Sequence, residues 1–236
     1  MNDILCIIPA RGGSKGIKEK NLANVHGKPL IGYSIESAME LKNAGLVKRV
    51  IVSTDSKKIG KVSEELGAEV PFMRPKSLAT DTSKSVDAIL HAIEFYKEKE
   101  EYFKAILLLQ PTSPLRSFEV MQSAITRFRI GGSESLISCY REEYINDLVM
   151  YRIGDDKRKL LLPLNSSHNK GVRRQDHGSI LIRNGSLYIT SVEYLERERL
   201  VISDYPAFVE MPKNESVNID TLEDLKLLKS IIASRG

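Results

Sequence analysis

Hydrophobic and polar positions along this chain alternate between two regimes. Runs of consecutive apolar, β-rich residues at Ile4–Ile8, Val47–Ser53, Glu69–Phe72, Ala105–Leu109 and Ser135–Cys139 predict strands buried on both faces, as in a parallel sheet. Ser186–Thr190 and Ala207–Met211 read as further strands. Between them the spacing turns helical: Val86, Ile89, Leu90 and Ile93 fall at i, i+3, i+4 and i+7, one buried stripe. Leu30–Leu41, Ile59–Leu66 and Val120–Phe128 behave alike. Thr221 is placed to N-cap a last helix, with Asp224 completing a weak capping box. Leu222, Leu225, Leu228 and Ile232 are then expected on its inner face. Strands alternating with helices predict an α/β fold, doubly wound around a mostly parallel sheet with right-handed crossovers. A ligand is expected at the carboxyl ends of the strands.

The alternation breaks between Tyr140 and Ile182, where charges are many and the segment NKGVRRQDHG is basic and polar. A gap that long in a compact domain is usually functional or an interaction arm, and a plain surface loop is the alternative. No repeat, low-complexity tract or linker divides the chain, so residues 1–236 read as a single domain with 140–182 inserted after the fifth predicted strand.

Composition narrows the classes. A length of 236 residues gives room for a full core, and 42% hydrophobic with 28% charged content is ordinary for a globular protein. A net charge of only +4, without long basic runs, argues against a nucleic-acid partner yet permits a locally positive pocket. No apolar stretch approaches the roughly 18 residues of a membrane span, and no signal-peptide pattern opens the chain. The expectation is a cytoplasmic protein with no membrane partner. Cys6 and Cys139 sit in apolar runs and read as buried, reduced thiols.

The candidate chemistry lies in the loops. The first strand ends at Pro9 and empties into Ala10-Arg11-Gly12-Gly13-Ser14-Lys15-Gly16, followed by Lys18, Lys20 and Asn21. Glycines admit backbone N–H groups to phosphate oxygens while lysine and arginine neutralise them. The loop is neither a Walker A sequence nor a G-x-G-x-x-G loop, and alone it could be a basic surface turn. Later loops are also polar: RPKSLATDTSKS with Arg74 and Ser85, QPTSPLR with Gln110 and Arg116, and SVNIDTLEDL with Asn218 and Asp220.

With those blocks in order, the chain resembles the acylneuraminate cytidylyltransferases, or CMP-sialic acid (CMP-nonulosonate) synthetases, nearly end to end. ARGGSKG followed by KN is similar to the family's mononucleotide loop. STD at Ser53–Asp55, RPKSLATDT, LLQPTSPLR, RNGSLYI and NIDTLEDL follow in family order. The resemblance implies a Rossmann-like nucleotidyltransferase fold and transfer of CMP from CTP to the anomeric 2-hydroxyl of a nine-carbon 2-keto sugar acid of the sialic or legionaminic type. Pseudaminic acid and the eight-carbon Kdo are the alternatives as acceptor, and a non-catalytic nucleotide-binding module is a remote one.

Carried over by position, the resemblance implies that Arg11, Ser14, Lys15 and Lys20 hold the triphosphate. Asn21 and Arg74 are implied to read cytidine, with Ser85 beside them. Gln110, Arg174, Gln175 and Asn184 are implied to contact the acceptor, an arginine clamping its carboxylate. Lys20, Arg11 and Asp220 are the implied catalytic groups, and Asp220 with Asn218 the implied ligands of Mg²⁺ or Mn²⁺. Three alternatives stand beside these roles: a surface ion pair for Arg74, a turn for Gln110, and an extra helix cap for Asp220. The chain departs from the family twice. Asn218 stands where an aspartate is usual, and the arginine expected at Ile182 is displaced to Arg183. The arm matches the region relatives use for a homodimer, with Tyr140, Tyr144, Leu148, Met150, Tyr151 and Leu160–Leu162 as expected anchors.

Overall fold

The computed structural model describes residues 3–14, 16–143, 145, 147–154, 160–171 and 180–235. Its centre is a six-stranded sheet built from β1 (Ile4–Pro9), β4 (Arg49–Ser53), β5 (Ala105–Leu109), β6 (Ser135–Glu142), β9 (Ile180–Ser191) and β10 (Ala207–Glu210), in the order β10-β6-β9-β5-β1-β4. β1 pairs in parallel with both β4 and β5, and β6 with β10, while β9 runs antiparallel between β5 and β6. The expected mostly parallel α/β sheet is therefore present. Short pairs β2 (Asn24–Val25) with β3 (Lys28–Pro29), and β7 (Tyr151–Ile153) with β8 (Leu161–Pro163), lie outside it.

Two-sided burial follows from side-chain alternation. Ile4, Cys6 and Ile8 of β1 pack with α1 (Leu30–Asn43), α2 (Lys57–Glu65) and α4 (Phe118–Gly131). Leu5 and Ile7 face the opposite layer, α3 (Ser85–Lys97) and α5 (Val192–Glu198). A third cluster joins Ile17, Val25, Leu30, Leu115 and Ile219 to Leu225 and Leu228 of α6 (Leu222–Ala233). Thus α6 locks the segment before it onto the first loop. Cys6 and Cys139 are buried and free, as expected, and burial pushes the Cys6 thiol up to about 12. Among the described residues, no helix is long and apolar enough to cross a membrane.

Three expectations are corrected. Glu69–Phe72 is not a strand. The segment pairs through isolated bridges, Glu69 to Ile51 and, just beyond it, Met73 to Thr54, because Pro71 has no N–H to continue a ladder. Leu222 is 56% exposed. At about 100° per residue it sits roughly 90° away from the stripe of Leu225, Leu228 and Ile232. Lastly, the β6–β9 ladder extends further than the polarity pattern suggests, to Glu142 and back to Ile180. Tyr140 is accordingly paired with Ile182 inside the sheet.

β9 carries a bulge where Ile137 and Cys139 of β6 face Tyr188 and Arg183. Gly185 takes the positive φ of 74° that the detour requires.

Candidate active site

A cavity of about 650 Å³ opens where β1 and β5 end, walled by the first loop, the 74–85 segment, the turn after β5 and the stretch before α6. Its lining includes Arg11, Ser14, Lys20, Asn21, Arg74, Ser85, Gln110, Asn218 and Asp220. Nine residues predicted from sequence thus converge from four separate parts of the chain. Lys15, Arg174 and Gln175 lie outside the described residues.

The first loop is tied down from outside. The Gly12 N–H donates to Asp55 Oδ1 at 2.8 Å. A Cβ at Gly16 would lie 2.3 Å from the Asp220 carbonyl oxygen, so only glycine permits this loop to rest on the α6 approach. Ser14 donates to the Ile17 carbonyl and accepts from the Lys20 N–H at 3.3 Å. Its hydroxyl therefore shapes the turn. Asn21 donates to the Arg11 carbonyl at 3.0 Å and is buried.

Among the described residues of this loop, Arg11 and Lys20 face the cavity and each is held by a carboxylate. Arg11 Nη1 pairs with Asp81 Oδ1 at 2.7 Å. Lys20 Nζ donates to Asp220 Oδ1 at 2.9 Å and to the Ile219 carbonyl at 2.7 Å. Such partly exposed pairs are worth only about 0–1 kcal/mol, so an incoming polyanion can displace them.

Arg74 is buried, not part of a surface ion pair. Its Nε donates to Ser53 Oγ at 3.0 Å and its Nη2 to the Ser53 carbonyl. Burial holds the guanidinium below its ordinary value. Asp55 pulls it back up and Arg11 adds to the depression. His91 is edge-on to Phe72 at 4.6 Å between centroids, and its buried Nδ1 has no hydrogen-bond partner among the described residues. Burial, then the Arg74 charge, lowers the His91 pKa. Ser85 is the exposed first residue of α3 and brings that helix's N-terminus to the cavity, the end that favours negative charge. The Gln110 carbonyl accepts from the Ser113 N–H in a turn at 3.1 Å, while the residue also lines the cavity.

Asp220 is not a helix cap. Thr221 and Asp224 form the reciprocal capping box of α6. The Asp220 carboxylate instead receives Lys20 on Oδ1 and Asn218 Nδ2 on Oδ2 at 2.6 Å. Asn218 Oδ1 accepts from Ser113 Oγ at 3.5 Å. Among the described residues, no group of three or more His, Cys, Asp or Glu gathers to hold a metal. One carboxylate with one amide oxygen fits Mg²⁺, which keeps several waters and binds substrate phosphates instead of demanding a protein cage.

Asn184 is not part of the cavity lining. Its Nδ2 donates to Ser216 Oγ at 2.9 Å and to Met211 Sδ at 3.2 Å. Its Oδ1 accepts from Ser138 Oγ at 2.5 Å and the Ser186 N–H at 3.1 Å, so the side chain braces the β9 bulge. Sequence reasoning left the tethers Asp55 and Asp81 without roles, although Asp81 falls in a loop singled out for its polarity and Asp55 in a block that carries the family resemblance.

The family profile described as cytidylyltransferase matches residues 5–231. A pseudaminic acid cytidylyltransferase from Campylobacter jejuni is 33% identical over 226 residues, covering 95% of this chain and 94% of its own. The CMP-N,N'-diacetyllegionaminic acid synthase of Legionella pneumophila is 31% identical over 239 residues, covering 97% and 96%. An N-acylneuraminate cytidylyltransferase of Escherichia coli is 33% identical over 233 residues, covering 97% of this chain and 52% of its own. In fold, the chain is similar to a CMP:2-keto-3-deoxy-manno-octonic acid synthetase complexed with CTP, with a TM-score of 0.71 at 16% identity and 99% coverage of both chains.

Proposed function

We propose that this chain, which belongs to the cytidylyltransferase family, transfers CMP from CTP to the anomeric 2-hydroxyl of a nine-carbon 2-keto sugar acid and releases pyrophosphate. The observation that carries the reading is the single cavity in which Arg11, Lys20, Asn21 and Arg74 meet Gln110, Asn218 and Asp220. The named relatives at 31–33% identity work on pseudaminic, legionaminic and acylneuraminic acids, which supports the nine-carbon class. The octonic acid synthetase is similar in fold alone.

In this reading the acceptor hydroxyl oxygen attacks the α-phosphorus, the bond from that phosphorus to the oxygen bridging it to the β-phosphate breaks, and the hydroxyl proton passes to solvent water. Lys20 and Arg11 exchange their weak carboxylate partners for phosphate oxygens. Charge-assisted bonds of that kind are worth roughly 1.5–3 kcal/mol each. They stabilise charge on the departing pyrophosphate without moving a proton. Arg74, fixed by Ser53, offers Nη1 to the base, and Asn21 lines the same cavity. Gln110 faces the acceptor. Asp220, with Asn218, would hold the divalent ion, Mg²⁺ or Mn²⁺. Such an ion, when bound, supplies the charge that acidifies the attacking hydroxyl and neutralises the phosphate. Among the described residues no histidine or cysteine lines the cavity, and the reading assigns no dedicated side-chain base.

Within residues 140–182, the part beyond the β6–β9 ladder is proposed as a dimerisation arm that completes the acceptor site in a homodimer. The exposed Met150, Tyr151, Ile153, Leu160, Leu161 and Leu162 support it. CTP as a substrate supports a cytoplasmic location. The direct test of the reaction is mass-spectrometric detection of the CMP-linked acid after incubation with CTP, Mg²⁺ and a nine-carbon acid. Free CMP or unreacted CTP as the sole nucleotide would contradict it.

A further inference from the structure

Arg116 follows the turn after β5 and is buried, with no carboxylate partner among the described residues. Each of its three guanidinium nitrogens is nonetheless hydrogen-bonded. Nε donates to Ser186 Oγ at 3.2 Å and Nη1 to Ser34 Oγ at 3.0 Å. Nη2 reaches the Gln110 carbonyl at 2.8 Å, the Ser186 carbonyl at 3.1 Å and the Ser113 carbonyl. One planar fork therefore joins α1, the end of β5, the turn and the β9 bulge. Burying a cation without a counter-charge is costly, and burial pushes Arg116 down to about 10. An apolar side chain would fill this space more cheaply, so the guanidinium is retained for what its five donors can hold.

The outer side of the turn it holds is the site itself. Gln110, Pro111 and Thr112 line the cavity. The Thr112 carbonyl accepts from the Ile219 N–H at 2.7 Å, and Ser113 Oγ donates to Asn218 Oδ1. The path from Arg116 through the turn thus ends on the two residues that precede Asp220, Asn218 and Ile219. We propose that Arg116 is a positioning residue for the transfer step, fixing the 110–116 turn so that Gln110 and the 218–220 segment keep one geometry relative to Lys20 and Arg11. The proposal rests on the cytidylyl-transfer reading. Arg116 does not itself line the cavity; it acts through the turn.

The test compares Arg116→Lys, which keeps the charge and loses the fork, with Ser34→Ala and Ser186→Ala, each removing one side-chain acceptor. For Arg116→Lys the expected result is a kcat reduced roughly 10- to 100-fold, the scale on which misplacement by about 1 Å costs rate. KM for CTP stays within about threefold, because Arg11, Asn21 and Arg74 are held by contacts outside the turn. The amides of Ser113 and Ile219 should also exchange with deuterium faster than in the unaltered protein. A folded Arg116→Lys with kcat within about twofold of the original would overturn the proposal. Should that variant not fold, a lowered kcat at unchanged KM for CTP in Ser34→Ala or Ser186→Ala supports it, and unchanged kcat in both overturns it. If the unaltered protein makes no CMP-sugar at all, the transfer reading has failed. Amide exchange then still decides: unaltered protection at Ser113 and Ile219 in the variants overturns the positioning role, and loss at both supports it.

Discussion

Lys20 and Asp220 stand 200 positions apart in the chain and meet at 2.9 Å on the wall of one cavity. The contact joins the phosphate-type loop after β1 to the approach of the last helix, and Gly16 lets the two backbones touch beside it. Asp220 is also bonded to Asn218, so this carboxylate sits between a cation, an amide and the space a substrate would fill.

Asp220→Ala removes that carboxylate from an exposed position outside the core. Stability should change by no more than about 0.5 kcal/mol, while kcat for pyrophosphate release falls by roughly two orders of magnitude or more, as when a transition-state charge contact is lost. Steady-state kinetics with a matched thermal melt checks both halves. Near-normal turnover in a folded variant would remove Asp220 from the mechanism.

Arg74→Ala should weaken CTP far more than the sugar acid. The loss expected is roughly 10- to 100-fold in CTP affinity, the equivalent of one charge-assisted hydrogen bond. Calorimetric titration of each substrate separates the two, and unchanged CTP affinity would end the base-reading role.

Asn218→Asp exchanges a donor to Asp220 for a second negative charge. Like charges at that spacing disfavour each other until a cation binds. The variant should melt lower than the unaltered protein in chelator, and Mg²⁺ should raise its Tm by a larger margin. Identical Mg²⁺ shifts in the two proteins would show that position 218 does not face the ion.

His91 gives a pH signature. Its folded pKa is lowered below the ordinary value of 6.5, by burial first and by the Arg74 charge second, with Glu98 opposing. The folded state then binds fewer protons than the unfolded one, so stability rises with pH through that window. The contribution is complete above about pH 6.5 and is lost as pH falls toward the folded pKa. Melting curves from about pH 8 to 5 should therefore drop more steeply for the unaltered protein than for His91→Phe. Parallel curves would contradict this assignment.

Light scattering at micromolar protein should return twice the chain mass. Replacing Leu161 and Ile153, 62% and 72% exposed in the single chain, with glutamate should shift the mass to that of one chain. A monomer before any substitution would refute the dimer.

Much of this site was legible because its residues fall in short polar blocks that end strands, and a doubly wound sheet brings strand ends together whatever lies between. Arg11, Lys20, Gln110 and Asp220 were found that way. Other features depend on contacts between distant segments, which composition does not report. Asp55 and Asp81 gain their roles only by meeting Gly12 and Arg11. Asn184 turns into a brace because β9 bulges there, and pairing register is invisible in a single strand's pattern. Local chemistry also misled twice. Pro71 interrupts what its apolar neighbours suggest is a strand, and Leu222 begins its helix on the wrong side of the stripe.

The most direct test is the initial rate of pyrophosphate release with CTP and Mg²⁺ in the presence of N-acetylneuraminate, legionaminate, pseudaminate or Kdo, with UTP and ATP as controls. Release that requires CTP and one of the nine-carbon acids is the predicted result. Release with Kdo alone, with any nucleotide, or with none of the four acids despite tight CTP binding would contradict it.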